Sequence, residues 1–289
     1  TGHGDLEVCS KPEVIETIKD VPCTAVAAGW AHSAALAQDG RLLLWGQPFE
    51  LRNVLRLRRT AQTSGRALAS FISGMNWLLS PNGAPGLRSV PAEFPLPSSS
   101  APVKVSCGAG FTAVLMEDGS LLLFGLNTFG QCGNGEESPT EFQPVQALGA
   151  LQDQGAMDVS LGFQHAAAIT RSGDIVTWGK GERGQLGTGQ TVNSSLPLRI
   201  TLPTDGKRFA TVSCGFNHTA ALREDGQVFV WGKMLSTVED QINMRPVVTH
   251  EDQLVPRHVS LPSAVKAVAS SAYHTAILTE DHQLWCVSS

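Results

Sequence analysis

The chain has 289 residues, 16% of them charged, with a net charge of −5 and a pI near 5.9. That balance argues against a generic nucleic-acid coat or attachment to an anionic membrane surface. No apolar run is long enough to span a bilayer, and the first residues, TGHGDLEVCS, lack the basic start and apolar middle of a signal peptide.

Residues 1–11 read as the tail of a repeat unit. Gly2-His3-Gly4 matches Gly133-Asn134-Gly135 and Gly187-Thr188-Gly189, and a proline follows each, at Pro12, Pro144 and Pro197. The sequence therefore starts in mid-repeat, either as a fragment or as a ring whose ends meet. The first full copy of the core motif is Val26 to Gly46, VAAGWAHSAALAQDGRLLLWG. It recurs at Val105 to Gly125, Val159 to Gly179, Val212 to Gly232 and Val268 to Ser288. Each copy has two apolar runs around an Asp-Gly type turn, the strongest short-range sign of a β-hairpin. The spacing predicts hairpins at Ser33–Trp45, Thr112–Phe124, Ala166–Trp178, Thr219–Trp231 and Thr275–Val287. The marker position holds His32, Phe111, His165, His218 and His274, with steps of 79, 54, 53 and 56.

Two further strands are predicted in each unit. One follows the proline, as at Glu13 to Ile18 or Val145 to Leu148. The other ends at the glycine: Ala25 to Ala28, Lys104 to Cys107, Met157 to Leu161, Ala210 to Cys214 and Lys266 to Ser270. Four short strands repeated at a spacing in the fifties predict an all-β propeller, a single domain whose cores lie at about 12–46, 95–125, 144–179, 197–232 and 256–288. Gly-rich connections follow the hairpins at 125–135 and 179–189, whereas 233–255 keeps the length and loses the glycines.

The segment 47–94 is longer than the other connections and reads as an insertion. Leu68, Phe71, Ile72, Met75 and Leu79 fall at helical spacing, and Pro81, Gly83, Pro85 and Gly86 end any helix. Upstream, Arg52, Arg56, Arg58, Arg59 and Arg66 form the candidate partner-binding cluster, against the plainer reading of a solvated helix face.

The pattern Cys-Gly-x-x-His-Thr, Asp-Gly, Trp-Gly and Gly-Gln-Leu-Gly-x-Gly stands most fully at Cys214 to Gly232 and Gly179 to Gly189. It resembles the regulator of chromosome condensation family of seven-bladed propellers. The resemblance covers five units and implies an incomplete or reduced ring. The family includes a nuclear exchange factor for the GTPase Ran, parts of giant ubiquitin ligases, a ciliary GTPase-associated protein and a plant UV-B photoreceptor. Phe111, Ser271, His282 and Val287 depart from its pattern. Photoreception needs several Gly-Trp-Arg-His-Thr motifs, and only Gly29-Trp30-Ala31-His32-Ser33 comes near.

No catalytic motif stands out: there is no P-loop, Gly-x-Ser-x-Gly elbow or His-Glu-x-x-His. The repeat histidines have no carboxylate or cysteine at ligand spacing, so they are expected to pack and hydrogen-bond within their own blades, with no metal or other cofactor. Asp39, Asp118 and Asp225 read as turn residues. The six cysteines, Cys9, Cys23, Cys107, Cys132, Cys214 and Cys286, form no Cys-x-x-Cys pair and read as thiols in a reducing compartment. The cytoplasm comes first, with nucleus and organelles left open. The expected function is a non-catalytic scaffold that presents propeller loops to a protein partner. The alternative is a guanine nucleotide exchange factor for a Ran-type small GTPase, in which a protruding loop such as 47–94 wedges against the nucleotide site.

Overall fold

The computed structural model describes residues 2–3, 11–47, 88–97, 100–201, 206–240 and 245–288. Its strands form five antiparallel meanders. The first is β1 (Cys23–Ala28), β2 (His32–Ala37), β3 (Leu42–Gly46) and β4 (Arg88–Phe94). The second is β5 (Pro102–Cys107), β6 (Phe111–Met116), β7 (Leu121–Asn127) and β8 (Ser138–Gln146). The third is β9 (Ala156–Leu161), β10 (His165–Thr170), β11 (Ile175–Gly179) and β12 (Ser194–Arg199). The fourth is β13 (Phe209–Cys214), β14 (His218–Arg223), β15 (Val228–Asp240) and β16 (Arg245–Val259). The fifth has β17 (Val265–Ser270), β18 (His274–Thr279) and β19 (Leu284–Ser288).

All five predicted hairpins form in the predicted register: Ser33 faces Trp45, Thr112 faces Phe124, Ala166 faces Trp178, Thr219 faces Trp231 and Thr275 faces Val287. Their turns share one geometry. In the first, Gly40 donates its N–H to the Ala37 carbonyl at 3.0 Å, and Ala37 donates to the Arg41 carbonyl at 2.9 Å. This is a three-residue loop whose last residue must be left-handed. Gly40 has φ +88°, and in the fifth turn His282 takes the same conformation at φ +63°. A side chain there costs about 1–2 kcal/mol relative to glycine.

The hairpins stack because side chains alternate along each middle strand. In β6, Val114 and Met116 pack with Leu36, Leu42 and Leu44 of the first sheet, while Ala113 and Leu115 pack with Val159, Ala166 and Val176 of the third. Burial on both faces explains the continuous apolar runs. The fifth sheet differs: Thr275, Ile277 and Thr279 of β18 are buried, whereas the neighbouring positions and Leu284 on β19 are not.

Glycines after one hairpin receive the tryptophan of the next. Gly133 lies under Trp178, and Gly187 under Trp231. Each indole N–H donates across the sheets, from Trp178 to the Gln131 carbonyl and from Trp231 to the Gln185 carbonyl, both at 2.8 Å. Gly2 meets Trp45 in the same way, so its match to Gly133 and Gly187 is structural as well as textual.

Four sequence expectations need correction. The outer strands do not follow the prolines but run through or before them, with Pro144 inside β8 and Pro197 inside β12, and each pairs with the hairpin before it, as β8 does with β7, so the sheets run one strand out of phase with the repeat cores. The segment Glu13 to Ile18 forms a 3-10 turn at Glu16–Ile18 and not a strand. The interval 47–94 ends in β4, whose Phe94 faces Leu42, because the first hairpin needs an outer strand; the helical reading falls at 48–87, outside the described residues. The glycine-poor stretch 233–255 is not an ordinary connection. There β15 and β16 continue as a two-stranded ribbon, paired from Lys233–Asp252 to Asp240–Arg245.

Candidate functional site

Cooperation between blades explains the buried polar groups. The Nε2 atoms of His32, His165 and His218 lie 2.9 Å from the hydroxyls of Thr112, Thr219 and Thr275. Each bond crosses to the next sheet, which corrects the expectation of bonding within one blade. The cause is the Gly-x-x-His spacing. The chain folds back so that the ring lies on the glycine three residues earlier: a Cβ on Gly162 would stand 2.3 Å from His165 Cε1, and one on Gly215 2.0 Å from His218 Cε1. Thr219 Oγ1 donates to the Gln185 carbonyl at 3.0 Å, so His165 Nε2 carries the proton in that bond. The Nδ1 atoms of all three histidines are buried, with no hydrogen-bond partner among the described residues. Burial lowers the pKa of His32 and His218 to about 4 and that of His165 to about 3.

Phe111 occupies the histidine slot of the second blade, against Gly108, and the hydroxyl position opposite is Ala166. An apolar pair thus replaces a hydrogen-bonded one. His274 is exposed, which removes the need for glycine at Ser271.

Serines of the inner strands add a second set of ties. Ser106 accepts from the Leu161 N–H, Ser160 from Cys214 and Ser213 from Ser270. Asp158 joins three blades. It accepts from Lys104 of the second blade and from the Val212 N–H of the fourth at 3.2 Å. Cys107 and Cys214 are buried and their thiols are pushed up to about 12 by burial, as small hydrophobes and not nucleophiles. Asp39, Asp118 and Asp225 sit in the hairpin turns, as expected, and bond to Arg41, Ser120 and Arg223. Among the described residues no group of three or more His, Cys, Asp or Glu side chains could hold a metal ion. No helix among them is long and apolar enough to cross a membrane.

What these ties leave for function is one face of the disc. The loops β1–β2, β9–β10, β13–β14 and β17–β18 open on the same side. Trp30 packs edge-on against Phe163 and Phe216 at 5.3 and 6.1 Å, and Phe163 stacks on Phe216 at 3.9 Å. Tyr273 stacks on Phe216 at 5.8 Å. Although clustered, Trp30 is 69% exposed and Tyr273 55%. From this same side the β15–β16 ribbon runs on beyond Gly232, by roughly 26 Å at about 3.3 Å per residue. Sequence reasoning weighed Trp30 only as a light-sensing residue and missed the aromatic cluster. The signal was present two positions before three of the four marker histidines, at Trp30, Phe163 and Phe216, and one position before the fourth, at Tyr273. The predicted arginines, Arg52, Arg56, Arg58, Arg59 and Arg66, lie outside the described residues.

Two profiles of the regulator of chromosome condensation (RCC1) repeat match the chain, one at 118–169 and 172–222, the other at 23–49, 103–131 and 158–185. The human E3 ubiquitin-protein ligase HERC2 is 27% identical over 248 residues, covering 76% of this chain and 5% of that protein. The Arabidopsis thaliana ultraviolet-B receptor UVR8 is 28% identical over 235 residues, covering 80% of this chain and 46% of its own length. The chain thus spans less than half of either relative. Among solved structures, Saccharomyces cerevisiae Prp20p, described with its binding to Gsp1p and histones, superposes with a TM-score of 0.67 at 17% identity. That match covers 94% of this chain and 59% of Prp20p, and it supports the propeller fold.

Proposed function

The chain belongs to the regulator of chromosome condensation repeat family, and we propose that it is a non-catalytic scaffold that holds a protein partner on one face of a rigid propeller. One observation carries this reading. The buried histidines, serines and Asp158 tie blades together, while the exposed aromatics Trp30 and Tyr273 gather on one face that the core does not need. Exposed Trp and Tyr give large contact area at small entropic cost, which suits them to protein recognition. The expected compartment is the cytoplasm, which suits free thiols at Cys107, Cys132 and Cys214.

The test is affinity capture with quantified partners, comparing the natural chain with a Trp30→Ala, Tyr273→Ala variant. The expected result is a defined partner retained by the first and reduced at least tenfold by the second, at unchanged melting temperature. Equal capture by both would remove the aromatic face from the reading.

The β15–β16 ribbon favours a second reading, nucleotide exchange on a small GTPase. A rigid ribbon could enter a nucleotide site and displace phosphate and Mg²⁺ contacts without covalent chemistry. On the scaffold reading, release of a fluorescent GDP analogue from a panel of small GTPases is accelerated less than about a hundredfold. Faster release, abolished by removing residues 235–250 of the ribbon, would replace the scaffold by the exchange factor; a hundredfold is about 2.7 kcal/mol of barrier.

A further inference from the structure

The aromatic cluster on this face is interrupted at Ala109 and Ala272, the equivalent positions of the second and fifth blades. At the position that holds Trp30, Phe163 and Phe216 in the first, third and fourth blades, the second blade carries Ala109. Because Ala109 is small, Trp30 reaches across the second blade to touch Phe163. A cavity of about 330 Å³ opens beside them, lined by Trp30, Phe163, Ala109, Leu126, Gln47 and Gln164 among others.

The lining decides the chemistry of the occupant. It contains no charged side chain among the described residues. A charged anchor buried there would lose hydration without a counter-charge to replace it. The polar side chains are the amides of Gln47 and Gln164, which both donate and accept and so match a peptide backbone. Phe163 presents an aromatic surface already fixed by stacking on Phe216, so little further ordering is needed to receive a ring.

We infer that this notch is a docking site for an uncharged aromatic side chain projecting from an extended segment of a protein partner. The anchor fills the place left by Ala109 beside Trp30 and Phe163, while its flanking backbone bonds to Gln47 and Gln164. The inference rests on the scaffold reading and names where the partner holds on.

The experiment uses the ¹⁵N-labelled full chain and three probes: N-acetyl-phenylalanine amide, N-acetyl-arginine amide and N-acetyl-glutamate amide. The Trp30 indole N–H resonance is assigned by its loss in Trp30→Phe. The phenylalanine probe is expected to move that resonance saturably at millimolar concentration, and the charged probes at least about tenfold more weakly. Ala109→Phe places in the second blade the side chain that its neighbours already carry at this position, so it fills the notch without foreign geometry. It is expected to abolish the response with the melting temperature unchanged; Ala109→Leu serves if the larger ring disturbs folding. Equal or tighter binding of the arginine probe would overturn the inference in favour of a cation-binding platform. A phenylalanine response that survives both substitutions would also overturn it. The two readings separate by outcome: a partner captured with undiminished yield by Ala109→Phe removes the notch and keeps the scaffold. A probe response in a chain that captures no partner keeps the notch and removes the scaffold.

Discussion

Trp231→Ala is expected to lower the stability of the propeller by about 3–5 kcal/mol, among the largest losses a single truncation can cause. The indole has no exposed surface and packs with Ile169, Ile175, Phe209 and Val212, so it belongs to the third and fourth blades at once. Its N–H donates to the Gln185 carbonyl, and its ring covers Gly187, where a Cβ would lie 2.8 Å from Nε1. Truncation leaves a cavity at a seam and removes the donor from a carbonyl that Thr219 also uses. Denaturant titration should show a lower midpoint. An unchanged midpoint would place the third–fourth seam outside the cooperative core. Trp45 provides the contrast, because its position is only partly buried and its loss should cost less.

The hairpins were readable because their information is local. An Asp-Gly turn, two apolar runs and a closing Trp-Gly lie within one continuous stretch, and the Ser33–Trp45 register follows from counting outward from the turn. The outer strands were not readable to the same degree, because partnership is a property of two segments. Pro144 marks a strand, yet nothing near it says whether β8 joins the hairpin before or after. The β15–β16 ribbon was missed for a related reason. Residues 233–255 lack the glycines of the other connections, and loss of a loop signature does not reveal that pairing replaces it.

The same distinction holds for the candidate site. The three-residue spacing from Gly162 to His165 is legible, but its cause, a ring lying on the glycine and bonding to Thr219 fifty-four residues later, is a contact between repeats. Phe111 looked like an isolated departure. Paired with Ala166 it is a compensated one, since the histidine and its hydroxyl acceptor are absent together. The aromatic face required superposing loops from separate blades. Only then do Trp30, Phe163 and Phe216 become neighbours and Ala109 a gap.

Those inter-blade histidines make stability dependent on pH, and the sign follows from burial. In the folded chain His32, His165 and His218 are held neutral by desolvation, with pKa values of about 4, 3 and 4, against 6.5 when exposed. Below pH 6.5 the unfolded chain binds protons that the folded chain refuses, so stability is complete above that value and falls as the pH drops towards 4. At pH 5 each histidine removes about 2 kcal/mol, and three together about 6 kcal/mol, comparable with the whole stability of many domains. The turn carboxylates act in a lower window. Asp39, Asp118 and Asp225 are held below the ordinary carboxylate range by bonds to Arg41, Ser120 and Arg223, so their contribution is lost only under strongly acid conditions. Between pH 6.5 and 4 the histidines therefore dominate. The chain itself supplies the design of the control: His165→Phe with Thr219→Ala copies the Phe111–Ala166 pair into the next seam. Denaturant midpoints at pH 7, 6 and 5 should show this double variant losing about one third less stability across the range than the natural chain. Equal losses in both would mean that His165 is already protonated or hydrated in the folded state, and that the buried Nδ1 finds a partner in solution.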